Sequence, residues 1–201
     1  MHKRLSFFLV LTGLFLVLSG CGKSSPPSTY YILTSSSQQA EGIKPMSNTS
    51  VGVGPVTIPG HLDRSQIVTS TGQNRITIHE YQRWGDSFET QVKETLAENI
   101  SLLLKTPQVA VYPWERAQRP QYQVYLTIRR FEGKLQGKVT LDAIWQIVDV
   151  RTDNSMLTKQ FVQVFPVTGN TMSAYVQAQS DALQSLSKDI VQGLHTVARS
   201  R

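Results

Sequence analysis

The chain has 201 residues, of which 40% are hydrophobic and 17% are charged, and its formal net charge is +6 at pH 7. This length suits one domain with a substantial hydrophobic core. Lys and Arg are scattered along the sequence, whereas a nucleic-acid-binding protein would gather them on one face, so no nucleic acid is expected as a partner. The single cysteine, Cys21, excludes an intramolecular disulfide and a cysteine-based metal site.

Residues 1–20 have the features of an export signal. A basic pair precedes an apolar run at residues 5–18, which is too short to span a bilayer as a helix, and two small residues stand directly before Cys21. The segment resembles the bacterial lipobox, in which the signal is cut before the cysteine and both its thiol and the new amino terminus are acylated. We therefore predict a signal peptide at residues 1–20 and lipidation of Cys21. The alternatives are an ordinary signal followed by a buried structural cysteine, or a membrane-anchoring helix.

Cleavage before Cys21 would leave 181 residues with 18 basic and 14 acidic side chains, because two of the 20 basic residues lie in the signal. Each buried methylene of an acyl chain contributes about 0.8 kcal/mol, so three chains would hold the protein firmly to a membrane. In lipoproteins of this kind, Asp after the cysteine usually marks retention in the inner membrane. Gly22 stands there instead, which points to the outer membrane. The basic balance also suits anionic lipid head groups or an acidic partner, although most basic surfaces are simply solvated.

Residues 21–50 are predicted to form a lipidated tether that contains one short strand. Ser, Pro and Gly dominate residues 22–29, which cannot bury enough apolar surface to fold. The aromatic and branched run at residues 30–33 fits a strand. A second polar stretch, at residues 34–50, separates this strand from the rest and makes it an outlying arm.

The globular domain is predicted over residues 51–201, and its first half combines strands with a helix. Alternating apolar residues indicate strands at 51–59, 66–69 and 75–83, the last two as neighbours. Glycines in the first of these invite comparison with a phosphate loop, but no GK[ST] motif follows, so we interpret them as close-packing or bulge positions. A helix capped by Asp86 or Ser87 ends near Pro107, and a buried strand follows at 109–112. This succession favours a crossover connection with the helix on one face of the sheet.

The second half is predicted to be an antiparallel meander followed by a long helix. Residues 122–165 alternate as three strands, and residues 171–199 have apolar positions at steps of three and four. Residues 133–140 imitate a nucleotide-binding loop but are one residue too short, with Val139 in place of Ser or Thr, so they are interpreted as a hairpin turn. The predicted fold class is α/β, a single domain in which two main helices pack on a mixed β-sheet.

The sequence contains no recognisable catalytic or metal-binding motif. Its four histidines are isolated and form no HExxH pair, and no G-x-S-x-G turn is present. Acidic residues at helical spacing between 86 and 98 are explained by a solvated helix face. We therefore expect no enzyme activity, no metal and no cofactor.

One cluster combines an aromatic ring with guanidinium and carboxylate groups, which are suited to bidentate pairing and stacking. It consists of two short segments that contain His61, Asp63 and Arg64 in the first and Arg83, Trp84 and Asp86 in the second. An internal ion-pair network that fixes a loop to the first helix is one interpretation, and a partner-binding surface is the other. A third hypothesis makes Asp63, Arg64 and Asp86 an enzyme site.

Several of these segments together resemble the PqiC family of ABC-type transport auxiliary lipoproteins. The resemblance covers nearly all of the mature chain in the family's order, and each motif alone is weak. Ser65 stands where Pro is common, and residues 85–87 replace a more usual Ala-Glu-Pro. Besides the lipobox, the matching segments are residues 30–33, 51–59, 62–64, 66–68, 83–84, 96–99, 112–114 and 131–132.

The resemblance implies a mixed α/β sheet with two helices and a non-enzymatic role in lipid transport. Members of the family are thought to dock a periplasmic MCE-domain protein, which is PqiB-like and forms a lipid conduit, to the outer membrane. The acyl anchor would sit in outer-membrane lipid, and the copies would assemble as a homo-oligomeric ring. No ATPase motif is present, so energy would come from another subunit. The rival hypothesis is a lipoprotein activator of an envelope enzyme such as a cell-wall synthase.

Overall fold

The computed structural model describes residues 25–36, 42–72, 74–115 and 119–200. The predicted signal peptide and Cys21 lie outside these residues. The described elements are, in chain order, β1 (Thr29–Tyr31), β2 (Val51–Thr57), β3 (Gln66–Ser70), β4 (Ile76–Trp84), α1 (Phe88–Leu104), β5 (Val109–Val111), β6 (Tyr122–Gly133), β7 (Lys138–Asp149), β8 (Asn154–Pro166) and α2 (Met172–Arg199).

The larger sheet has five strands in the order β5-β2-β6-β7-β8. Strands β6, β7 and β8 pair antiparallel, so the predicted meander is confirmed. On β6 and β7 the alternating apolar residues of one face are buried in the core, because that face of the sheet is covered by the rest of the domain. On β7 the residues of this face are fully buried, and they are Val139, Leu141, Ala143, Trp145 and Ile147.

Strand β2 lies parallel to both β5 and β6. The predicted crossover exists, but it connects β2 to β5, because β4 belongs to the other sheet. The predicted roles of the β2 glycines are confirmed. A Cβ on Gly52 would lie 2.5 Å from the Trp114 ring, and Gly54 has a φ of +107° where the pairing register shifts. Strand β5 was expected to be buried, but it is a half-buried edge strand since only β2 pairs with it.

The predicted α/β class with two main helices is confirmed, but the strands form two mixed sheets instead of one, and the second has three strands in the order β1-β4-β3. The predicted outlying arm is also wrong, because β1 pairs in parallel with β4. Directly after β1, Leu33 is buried and donates its backbone N–H to the Gln91 side chain over 2.8 Å. The core therefore includes residues that precede the predicted domain boundary at residue 51. On β4, Ile76 and Ile78 alternate as predicted but face outward, with 41% and 42% exposure.

Both helices begin at side-chain caps. The Ser87 hydroxyl accepts from the Thr90 N–H at the start of α1, and the Thr171 hydroxyl accepts from the Ala174 N–H at the start of α2. Helix α1 ends where Lys105 takes a left-handed φ of 53°. Each helix presents an apolar stripe to the larger sheet. In the described part of the chain, neither helix is long and apolar enough to cross a membrane.

Two partly buried histidines predict that stability falls as the pH drops. Burial lowers the pKa of His79 and of His195, and Arg199 lowers that of His195 further. Near pH 6.5, the ordinary pKa of histidine, the unfolded chain therefore binds more protons than the folded chain does. The free energy of unfolding is expected to be highest above pH 6.5 and to fall as the pH decreases below that value. Urea denaturation across this range, with His195→Gln as the comparison, should give a flatter dependence for the variant; an equal slope contradicts the assignment.

Candidate functional site

The predicted cluster of charges and a tryptophan lies where the loop before β3 meets the end of β4. The Trp84 N–H donates to the Ser65 carbonyl over 2.7 Å, so backbone hydrogen bonding holds the two segments together. The Gly85 N–H donates to the Tyr31 carbonyl over 2.8 Å, which adds β1 to the same junction. The two segments that the sequence analysis grouped are therefore adjacent in the structure.

Among the described residues, no ion pair joins the two segments, so the interpretation of an internal ion-pair network has no support here. Arg83 pairs instead with Glu80 on its own strand, at 3.1 Å. Asp63 is exposed, and the Asp86 carboxylate accepts from the neighbouring Ser87 N–H at 2.6 Å. The Nε of Arg64 is buried without a hydrogen-bond partner among the described residues. Arg83 pairs with a residue three positions away on its own strand and not with a residue of the other segment. The pairing register of β3 and β4 shifts next to this position, and residues 80 and 83 come into contact there.

Trp84 is part of the hydrophobic core. Only 5% of its surface is exposed, and its ring stacks on Phe88 with a centroid distance of 4.8 Å. Phe88 in turn contacts Phe131 on β6 at 5.6 Å. This aromatic row connects the smaller sheet to the first turn of α1 and to the larger sheet. Within the predicted cluster, Trp84 therefore has a structural position.

We expect Trp84→Ala to lower the free energy of unfolding by about 3 to 5 kcal/mol, because a large buried ring leaves a cavity. Arg83→Ala, at the adjacent position, should lower it by less than about 1 kcal/mol, since its ion pair is exposed to solvent. Urea denaturation of both variants at neutral pH measures the difference. Equal losses would contradict the separate roles of the two residues.

A basic cleft opens between the tips of two hairpins, β3–β4 and β6–β7. Its volume is about 990 Å³. Basic residues that are far apart in the sequence come together here, although the sequence interpretation treated them as scattered. The only signal was the imitation of a nucleotide loop at residues 133–140, which supplies two of them. The basic lining residues are Arg75, Arg129, Arg130, Lys134 and Lys138.

Buried polar groups fix the floor of this cleft. The Tyr175 hydroxyl, on α2, donates to the Val68 carbonyl over 3.0 Å and accepts from the Gly133 N–H over 3.2 Å. Burial raises the pKa of Tyr175 strongly, so its hydroxyl stays protonated and keeps donating. Glu132 is 8% exposed, and its carboxylate lies 3.5 Å from His61 Nε2. Both hairpins are therefore joined to α2 at the base of the cleft.

The described residues contain no group of three or more His, Cys, Asp or Glu side chains placed to bind a metal ion. Among the described histidines, His79 bonds to Thr69 at 2.8 Å, His61 faces Glu132, and His195 lies on α2. The hypothesis of an enzyme site at Asp63, Arg64 and Asp86 finds no ion pair or hydrogen bond that joins the three among the described residues.

Comparison with protein families decides the assignment. A sequence model of the ABC-type transport auxiliary lipoprotein component matches residues 31–191, which extend from β1 into α2. The chain belongs to this family. The transport auxiliary family was the one that the sequence motifs indicated, and the match covers both sheets and both helices. It also begins at the strand that packs on β4, in agreement with the position of Leu33 in the core.

Two proteins are similar to this chain in sequence, and one solved structure is similar to it in fold. The intermembrane transport lipoprotein PqiC of Escherichia coli (strain K12) is 27% identical over 130 residues, which are 65% of this chain and 68% of that protein. The PqiC of Shigella flexneri gives the same values. A crystal structure of a Xanthomonas campestris protein superposes with a TM-score of 0.72 at 15% identity and covers 86% of this chain and 98% of that one. At this identity the superposition supports the fold alone.

Membership in the transport auxiliary family establishes the general class of the protein. It is a lipoprotein of a transport system, and the family is defined by an auxiliary role rather than by catalysis. Lipoproteins are attached to a membrane by acyl chains. Cys21, which precedes the matched region, is the one cysteine that the chain offers for this attachment.

Proposed function

We propose that the protein is an outer-membrane lipoprotein that docks an MCE-type lipid conduit to that membrane and thereby supports lipid transport between membranes and envelope integrity. The observation that carries the proposal is the family match over residues 31–191, preceded by a lipobox at the only cysteine. The relatives named for intermembrane transport support it. In this role the chain is a binding subunit and catalyses no reaction.

The anchor and tether give this role a physical basis. Residues 1–20 are removed as a signal peptide, and three acyl chains at Cys21 attach residues 21–50 to the periplasmic face of the outer membrane. A flexible tether of n residues reaches about 5 to 6 Å times the square root of n. The domain at residues 51–201, with the segment around Leu33 packed on it, stays close to the leaflet and meets the end of the conduit there.

The open edges of the larger sheet support a homo-oligomeric ring. Strands β5 and β8 are at opposite ends of the sheet, and β8 has 13 residues. Long exposed edge strands offer backbone groups to another chain. Two valines of β8, Val162 and Val164, are also 54% and 52% exposed. A contact between two different surfaces of neighbouring copies is heterologous, and such contacts generate rings when the rotation closes.

The test is crosslinking in growing cells, followed by purification of the tagged full-length protein and mass spectrometry of the recovered proteins. We expect an MCE-domain protein to be enriched, and the Cys21→Ala variant to recover much less of it because it lacks the acyl anchor. Failure to recover any MCE-domain protein would overturn the proposal. Recovery of a cell-wall synthase instead would favour activation of an envelope enzyme.

A further inference from the structure

The basic cleft between the two hairpin tips has more positive charge than the carboxylates in and beside it neutralise. Arg129 makes a bidentate pair with Asp142, at 2.7 and 2.9 Å, and Arg130 lies 3.1 Å from Glu132. The other three lining cations are exposed and form no ion pair within the described residues. They are Arg75, Lys134 and Lys138. Three unpaired cations around one concave surface attract an anion more strongly than the same charges spread over a convex one.

The walls of the cleft are fixed before any ligand arrives. The Tyr175 hydroxyl joins β3 to the end of β6, and the Lys134 N–H donates to the Lys138 carbonyl over 3.1 Å, which closes the second hairpin. Because the backbone that carries the cations is held, binding an anion costs mainly the ordering of their side chains. Such preorganisation distinguishes the cleft from a set of unrelated surface lysines.

The cleft lies at the end of the domain toward which the amino-terminal segment leads. Strands β1 and β4 are parallel, with Thr29 opposite Gln82, so the chain before Thr29 points toward the start of β4. That start, Ile76, lines the cleft. The distance along the strand from Gln82 to Ile76 is about 20 Å. Eight residues connect Cys21 to Thr29 and reach at most about 28 Å.

We propose that this cleft binds the phosphate group of an anionic phospholipid head group in the leaflet that holds the anchor. The inference rests on the proposed acyl anchor, which brings this end of the domain to the membrane. Arg75, Lys134 and Lys138 neutralise the phosphate, and the exposed side chains of Ile76 and Ile78 on the adjoining strand meet the apolar boundary of the leaflet. An acidic protein segment is also negatively charged, but its binding would not explain why the cleft lies at the end of the domain nearest to the anchor.

The test measures binding of the non-acylated mature chain, which begins at residue 22, to phosphatidylcholine vesicles with and without phosphatidylglycerol. Every described helix and strand lies between Thr29 and Arg199, so this chain keeps the whole fold. Three side chains near an anionic surface contribute about 1 kcal/mol each, so the variant with Arg75, Lys134 and Lys138 all changed to Gln should bind about 100-fold more weakly. The control changes Lys44, Arg151 and Lys188 to Gln, because these basic residues do not line the cleft.

The proposal predicts binding only when phosphatidylglycerol is present, loss of binding in the cleft variant, and retention in the control variant. Equal losses in both variants would overturn it, since net charge alone would then be responsible. A second arm titrates inorganic phosphate. Saturable binding of phosphate with no vesicle binding would overturn the lipid assignment in favour of a free anion. Crosslinking of the full-length cleft variant to the MCE-domain protein is measured separately, so failure of the cleft and failure of the docking role give different results.

Discussion

Replacing Cys21 with Ala is expected to remove the protein from the outer membrane. In a lipobox, acylation of the cysteine and cleavage before it both require that side chain, so the variant should keep residues 1–20 and gain no acyl chains. Each buried methylene of an acyl chain contributes about 0.8 kcal/mol to the free energy of membrane binding. Loss of all the acyl chains is therefore expected to have a larger effect than any other single change in this protein. Separation of inner and outer membranes on a density gradient, with immunoblotting and intact-mass measurement, reports both effects.

Ser24→Ala is the matched control for this experiment, because it changes a small residue of the tether three positions beyond the cysteine. It should leave the mass of the acylated protein and its place in the gradient unchanged, apart from the loss of one oxygen atom. If the Cys21→Ala protein is still found in the outer membrane at the wild-type level, lipidation is not what anchors the chain.

The second large effect is expected at Gly133, where β6 ends at the hairpin. A Cβ at this position would lie directly on the carbonyl oxygen of Lys138, which is backbone and part of the hairpin's own hydrogen bonding. The strands would have to separate, and the bond from the Gly133 N–H to Tyr175 would be disturbed. We expect Gly133→Ala to lower the free energy of unfolding by about 3 kcal/mol or more.

Gly137→Ala provides the comparison on the same hairpin. The added methyl there would meet the Cβ of Lys134 at 3.1 Å, so the turn would have to open by only a few tenths of an ångström. Its effect on the free energy of unfolding should stay below about 1 kcal/mol. Urea denaturation of both variants measures the pair of values. If Gly133→Ala lowered the free energy of unfolding no more than Gly137→Ala does, the predicted clash with the Lys138 backbone would be contradicted.

The sequence predicted those parts of the fold in which local pattern and burial agree. Alternation on β6 and β7 placed the buried face correctly because both strands lie in the interior of one sheet. Both helices were predicted, and for the first a cap at Asp86 or Ser87, since the Ser87 hydroxyl bonds to an N–H group only three residues away. The resemblance to the family was confirmed by the match over residues 31–191, and one of its motifs contains Gly52, where the packing admits no side chain.

Long-range pairing was the part that the sequence did not predict. Nothing in the local pattern of β4 shows that it pairs with β1, which precedes it by more than 40 residues, rather than with the larger sheet. Ile76 and Ile78 alternate like core residues, yet they face outward because the smaller sheet turns that face toward solvent. The pairing of β2 with β5 likewise makes β5 an edge strand.

The candidate sites also differ in whether their residues are close together in the sequence. Trp84 was singled out for its chemistry, and its packing on Phe88 shows a structural position instead. The basic cleft was missed because Arg75 and Lys138 are 63 residues apart and meet only when two hairpins are joined by Tyr175. No spacing rule in one sequence relates such residues. Cys21 was predicted from local sequence alone, since a lipobox is recognised as a linear segment.

Native mass spectrometry of the full-length protein in detergent, alone and with the MCE-domain protein, tests the docking role most directly. The account predicts a monomer mass that starts at Cys21 and includes acyl chains, a closed oligomer of that monomer, and a larger complex when the MCE-domain protein is added. A monomer that carries no lipid and forms no complex with the MCE-domain protein would contradict it.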